Sequence, residues 1–512
     1  MRPLAVSAEP GAATWVGFAL MGVGMFMAIL DVQVVATSLP TIQAALKMAP
    51  SQMSWIQTAY LVAEVIAIPL TGFLTRLLSM RWLFVAAVTI FTLASAGCAA
   101  SNGFASLIAW RIVQGFAGGT LIPAVFSAVF LLFPARLEGV ATTIAGVLAV
   151  LAPTLGPIVG GWITQTYSWH WLFLINMAPG VVSALGAAWL LPWEQANLAE
   201  ARRLDIASLA LMAIALAALE IALKQAPRDG WAAPVVLGLL AVTATSLTLF
   251  ARRTLKAPHP VVRLSRLADR NFAIGCLLSF ILGVGLFGSV YMMPVFLALV
   301  RGHGALAIGE IMLVTGLAQL ATAPIAVALE RRIDPRLLAA AGFAVFGLGL
   351  ALSTNQTAET DFRQMLVPQI VRGCAVMFCL LPPTRLALGE LRLTEVPDGS
   401  ALFNLMRNLG GAIGLALIDT VIYGRAPVHA RAIIARLQSG DVATATAVGI
   451  PKDLFLSQHG PVDAATRALL EPMVQTLALV RAINEAWLLV AALTFTALIA
   501  LPLARRPVGP PT

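Results

Sequence analysis

Residues 22 to 40 read "GVGMFMAILDVQVVATSLP", with one aspartate, Asp31, standing late in an otherwise apolar stretch. A charged carboxylate in hydrocarbon costs roughly 2.5–3.5 kcal/mol on insertion scales, so a chain that keeps one is expected to use it. Two more charges have similar surroundings: Glu64 in "YLVAEVIAIPL" and Arg111 in "AWRIVQGFAGG". Desolvation makes a carboxylic acid hold its proton more tightly, and a neighbouring cation loosens it. An acid beside a movable arginine can therefore take up and release a proton, or hold a cationic group. Arginine stays charged at any accessible pH, so Arg111 can tune an acid without carrying the proton itself. A permanent ion pair locking two helices is the plainer reading of the same residues.

Arg372 and Arg407 also interrupt apolar runs. Each could hold an anion or pair with helix carbonyls. With Glu64, Gln33, Gln114 and Asn408 they form the set of candidates for touching a small molecule. Glu220, Asp419 and Glu485 fall close to the ends of apolar stretches and read as solvated.

The elements that position these residues follow from composition. Of 512 residues 59% are hydrophobic and only 11% charged, with mean hydropathy +0.88, against about 25% charged in soluble proteins. The chain is a polytopic membrane protein. Its net charge of +9 does not indicate nucleic-acid binding, which needs basic residues clustered on a polar surface; here they punctuate apolar runs. Cys98, Cys276, Cys374 and Cys379 all lie inside apolar stretches without metal-ligand spacing, so neither disulfides nor a metal are expected. No cofactor is expected either: no GxxxxGK[ST], HExxH or GxSxG occurs, which argues against a nucleotide-driven pump or an intramembrane enzyme.

At about 20 apolar residues per crossing the chain offers fourteen spans. The first runs from 14 to 38, too long for a signal-peptide core; the sixth is 170 to 192, the eleventh 336 to 354 and the thirteenth 399 to 422. With the N-terminus inside, nineteen Lys and Arg fall on inside connections and tail, and five on short outside loops, a bias that places both ends in the cytoplasm. At 1.5 Å per residue, Asp31 and Arg111 then share a level about 10 Å below the outer surface. The segment 424–474 is expected outside as a long loop, with helical spacing in "VHARAIIARLQSG".

An internal repeat sets the architecture. "RIVQG" (111 to 115) is echoed by "QIVRG" (369 to 373), and "PLTGFLTRLLSMR" (69 to 81) by "PIAVALERRIDPR" (324 to 336), at nearly equal offsets. Two six-helix bundles in the same orientation result, 1–192 and 272–503. Two inserted helices, 193–251, and a basic linker, 252–271, separate them, and a short tail, 504–512, follows. Parallel repeats of this kind describe the major facilitator architecture, with substrate bound between the halves. In "APTLGPIVGGW" (152 to 162), small residues three or four apart let helices approach closely and Pro157 bends the backbone. Ala152, Gly156, Pro157, Gly160 and Gly161 are therefore candidates for a tight crossing that gates a central cavity.

These stretches resemble the fourteen-span drug:proton antiporters of the major facilitator superfamily, the EmrB/QacA group, and its EmrB-like members most closely. "LDVQVVATSLP" is similar to the span 1 motif LDxTVxNVALP, with Asp31 at its acid; "RIVQG" matches the span 4 motif; "GPIVGG" matches the antiporter motif of span 5, with Ala152 replacing its leading glycine. The loop motif GxLADRxGRR is poorly kept: Gly72, Leu74 and Arg81 fit, while Arg76 stands at its aspartate and Ser79 at its glycine. The resemblance implies proton coupling with Asp31 and Arg111 in the motif roles, and export of drugs or other amphipathic toxic compounds across a bacterial inner membrane; Glu64, where many relatives have a neutral residue, is a coupling candidate on its apolar surroundings. It also implies a HlyD-type periplasmic adaptor and an outer-membrane channel as partners. Export of one endogenous metabolite, such as a siderophore or aromatic acid, is the alternative within transport; a lipid flippase or a transporter-like receptor lies outside it.

Overall fold

The computed structural model describes residues 10–48, 50–53, 55–193, 196–197, 205–257, 260–457 and 464–505. Arg2, Arg202, Arg203 and the tail beyond 505, all counted above, lie outside these residues. Every regular element among the described residues is helical, because in hydrocarbon a backbone must satisfy its own polar groups.

The first half comprises α1 (Ala12–Ala45), α2 (Trp55–Ala67) continued through a 3-10 turn into α3 (Thr71–Leu78), α4 (Met80–Ala99), α5 (Phe104–Leu132), α6 (Ala135–Thr166) and α7 (Met177–Leu190). The inserted pair is α8 (Ile206–Asp229) and α9 (Pro234–Lys256). The second half comprises α10 (Arg270–Leu299), α11 (Ala305–Glu330), α12 (Pro335–Ala351), α13 (Phe362–Leu388), α14 (Val396–Gln438) and α15 (Ala464–Phe495).

Thirteen helices among the described residues are long and apolar enough to cross a membrane. The eleventh expected span is α12, whose 17 residues reach about 26 Å at 1.5 Å per residue, short of a ~30 Å hydrocarbon core. The thirteenth departs further. Expected to end near 422, α14 runs unbroken for 43 residues to Gln438, about 64 Å by the same rise. Its extension is held by Arg425 and His429, which both bind Glu485 of α15, at 2.6 and 2.9 Å, and by a small core of Ala430, Ile433, Val448, Val474 and Ala478. What read as a long loop is thus a helical cap with its own apolar centre.

The repeat is visible in the packing. In the first half α1 packs on α6, α2 on α5, and α4 on both α5 and α7; in the second α10 packs on α14, α11 on α13, and α12 on both α13 and α15. The halves meet where α6 lies against α11 and where α3 and α5 lie against α14. Inserted helix α8 rests on α2 of one half and α14 of the other, tied by Lys224 donating to Thr58 and Trp231 Nε1 to Thr420 at 2.9 Å. The connections 331–334 and 389–395 and the turn at Ser79 share one end of the molecule, called here the basic face.

Candidate functional site

Asp31 on α1 is 1% exposed and Arg111 on α5 fully buried. The guanidinium Nη1 donates to Asp31 Oδ2 at 2.6 Å and to Gln114 Oε1 at 2.7 Å, and Nε donates to the Ile56 carbonyl at 3.1 Å. Gln114 Nε2 donates to Asp31 Oδ1 at 3.0 Å and to Ser95 Oγ at 2.8 Å. Asn176 Nδ2 completes the set at 2.8 Å from the same Asp31 oxygen. The guanidinium also lies 4.3 Å from the Tyr60 ring centroid, a cation–π arrangement that offsets part of its desolvation.

Local sequence explains why these groups meet. Gly115 has no side chain, so α5 closes onto α2; a Cβ there would stand 2.3 Å from the Tyr60 carbonyl oxygen. Its repeat partner Gly373 meets the Thr315 carbonyl in the same way, at 2.4 Å. Asn176 is reached because the sixth span breaks between Trp171–Leu174 and α7, turning the amide inward. Sequence reasoning missed it, although it is the one amide between Trp171 and Pro192.

The other candidates separate into different places. Glu64 on α2 is 8% exposed and has no hydrogen bond or ion pair among the described residues. Gln114, a candidate for touching a small molecule, has both amide atoms engaged in the Asp31 network. Gln33 packs beneath Gly156, where a Cβ would stand 2.2 Å from Gln33 Cβ. Ala152, Gly156, Pro157, Gly160 and Gly161 are all buried along α6, and neighbouring Ile158 seats on Gly309 of α11. Arg407 donates to Asn404 and lies 5.1 Å from the Phe126 ring of the other half; Asn408 Nδ2 donates to the Asn404 carbonyl at 3.3 Å. Arg372 is enclosed within the second bundle, not between the halves. Two acids read as solvated are engaged: Asp419 accepts from the Tyr291 hydroxyl at 2.7 Å, and Glu485 holds the cap as described.

On the basic face the departure from the loop motif becomes intelligible. Arg76 of α3 pairs with Asp398 at the start of α14. Asp398 also receives Arg263 at 3.1 Å, while Arg266 pairs with Glu395. The motif's acid is absent from the first half, and an acid from the second half faces a base there instead. Ser79, at the motif's glycine, keeps a glycine-type backbone, with φ +73° and ψ 161°.

Two repeated helical bundles meeting along seams, with a charged network buried in one of them, have the build of a multi-pass membrane transporter. The chain belongs to the major facilitator superfamily, whose family model matches residues 21–415. It is 37% identical over 421 residues to the colistin resistance protein EmrB of Acinetobacter baumannii, covering 82% of each chain. It is 30% identical over 423 residues to the fatty acid resistance protein FarB of Neisseria gonorrhoeae, again 82% of each. Among solved structures it is similar to the human organic anion transporter MFSD10 (TETRAN), with TM-score 0.58 over 95% of this chain and 99% of that one. At 14% identity that likeness concerns the fold alone.

Proposed function

We propose that this chain is a proton-coupled antiporter that exports drugs or other amphipathic toxic compounds across a bacterial inner membrane, with its basic face and both termini in the cytoplasm. The observation that carries this reading is the Asp31–Arg111 pair, sealed from water inside a bundle and shared with Gln114 and Asn176. A carboxylate held only by partners on α5 and at the start of α7 loses them when those helices shift, and then takes a proton. Glu64, buried and without a hydrogen bond or ion pair among the described residues, is the second acid of the pathway. The relatives, named for resistance to colistin and to fatty acids, support amphipathic substrates.

An adaptor of the HlyD type and an outer-membrane channel complete the proposal. The support is the cap on the extension of α14 and α15, which stands on the face away from the basic connections. Photo-crosslinking from Gly440, on the cap, should capture the adaptor in cells; capture of none would remove that part.

The test of transport uses the full chain in proteoliposomes with an imposed pH gradient and a fluorescent amphipathic cation as probe. Wild type should accumulate the probe against its gradient, Asp31→Asn should lose gradient-driven movement, and Glu64→Gln should reduce it at least severalfold. Undiminished coupling in both variants at equal reconstitution would overturn the assignment.

A further inference from the structure

The two halves treat the same buried pair differently. The offset of 258 that aligns "RIVQG" with "QIVRG" places Gln369 at Arg111 and Arg372 at Gln114, so each bundle carries one arginine and one glutamine a turn apart. In the first half Asp31 answers both. Moved by the same offset, Asp31 becomes Ser289 of α10, whose hydroxyl is spent on the Leu286 carbonyl at 2.9 Å. The second bundle has the donors without that acceptor.

Arg372 is 2% exposed, and among the described residues no carboxylate pairs with it. Its Nη2 reaches only the Met293 sulfur, at 2.8 Å, a weak acceptor, and its Nε and Nη1 have no partner. The indole N–H of Trp487, beside it, is also buried and unbonded. The guanidinium lies 4.9 Å from a Trp487 ring centroid. A buried charge left unpaired is strongly unfavourable, and a guanidinium with two unbonded nitrogens has an oxygen-bearing anion as its remedy.

A route to the site exists. A cleft of about 560 Å³, its open mouth included, descends to Arg372 between Met293, Leu352, Gln356, Thr360, Met365 and Pro368. It opens at the α12–α13 connection, on the face opposite the basic one. Its wall is apolar beside the arginine and polar toward the mouth. We infer that Arg372, backed by the Trp487 ring, forms a carboxylate-binding site in the second bundle, taking a small carboxylic acid with a short alkyl or aryl body through this cleft. The flat guanidinium fork matches the two oxygens of a carboxylate, Met293, Met365 and Pro368 cover the body, and the negative charge supplies what Asp31 supplies in the other half.

Occupancy is independent of export, so binding is read without transport. The full chain in nanodiscs is titrated with radiolabelled octanoate, with octanol and chloride as competitors. Saturable octanoate binding is expected, displaced poorly by octanol. Arg372→Met should weaken it by roughly tenfold or more, the scale of one lost hydrogen bond to a charged group. Arg372→Lys, which keeps charge without the fork, should fall between. Trp487→Phe replaces the indole with a smaller phenyl ring, removing the N–H and part of the packing against the guanidinium, and should weaken binding by a smaller factor; it serves if the methionine variant does not fold. The assignment is overturned if folded Arg372→Met or Trp487→Phe binds octanoate as wild type does, if octanol competes equally, or if chloride binds and octanoate does not.

Discussion

Asp31 and Arg111 are each held by several partners where water does not reach, so neither can be altered alone at small cost. Removing one member of a buried ion pair strands the other and costs roughly 3–5 kcal/mol. Arg111→Gln and Asp31→Asn are each expected to lower the thermal unfolding temperature in detergent. The double variant Asp31→Asn/Arg111→Gln, which leaves no charge and keeps hydrogen-bonding amides in place, should regain most of the loss while still failing to respond to a pH gradient. A double variant no more stable than the singles would mean that the network is not organised around the pair. Asn176→Ala, which removes one donor and no charge, should cost about 1–3 kcal/mol in thermal unfolding.

At the scale of elements the turn between α3 and α4 shows strain with a visible cause. Ser79 occupies a backbone region, φ +73° and ψ 161°, that is essentially reserved for glycine and costs other residues about 1–3 kcal/mol. Its hydroxyl recovers part of this by accepting from the Trp82 N–H at the long distance of 3.5 Å. Ser79→Gly is expected to raise stability by roughly 1 kcal/mol in thermal unfolding, and a destabilised variant would show that the cap outweighs the strain. That glycine-like position was legible in the sequence from the loop motif. So were the apolar spans, the repeat and the shared level of Asp31 and Arg111, because each rests on period, length or rise along one helix. What was not legible needed two helices at once. Asn176 enters the site only through a break in the sixth span, the end of α14 depends on Glu485 of another helix, and Arg372 could not be assigned to the interior of one bundle from spacing alone.

For the whole molecule, exchange between states requires the seams between the halves to open and close in turn. The basic-face seam of α3 and α14 is held by the Arg76–Asp398 pair, with Arg263 of the linker on the same carboxylate and Ser400 Oγ donating to the Pro123 carbonyl across the halves at 2.9 Å. Asp398 is 5% exposed, so the pair is partly desolvated and harder for salt to screen than a surface pair. Neutralising it removes the carboxylate that Arg76 and Arg263 share and leaves Arg263 with Glu395 at 3.9 Å, which weakens the attraction across the seam. Asp398→Asn should therefore shift the population toward a form open on the basic face. Spin labels at Trp82→Cys and Thr394→Cys, both exposed on that face, would report a longer and broader distance distribution than in the parent. Reversing the pair as Arg76→Asp/Asp398→Arg should recover closure only in part, because the new arginine would meet Arg263 and its neighbour Arg266. An unchanged distribution in Asp398→Asn, or full recovery by the reversal, would show that apolar packing of α3 and α14 closes this face without help from the charges.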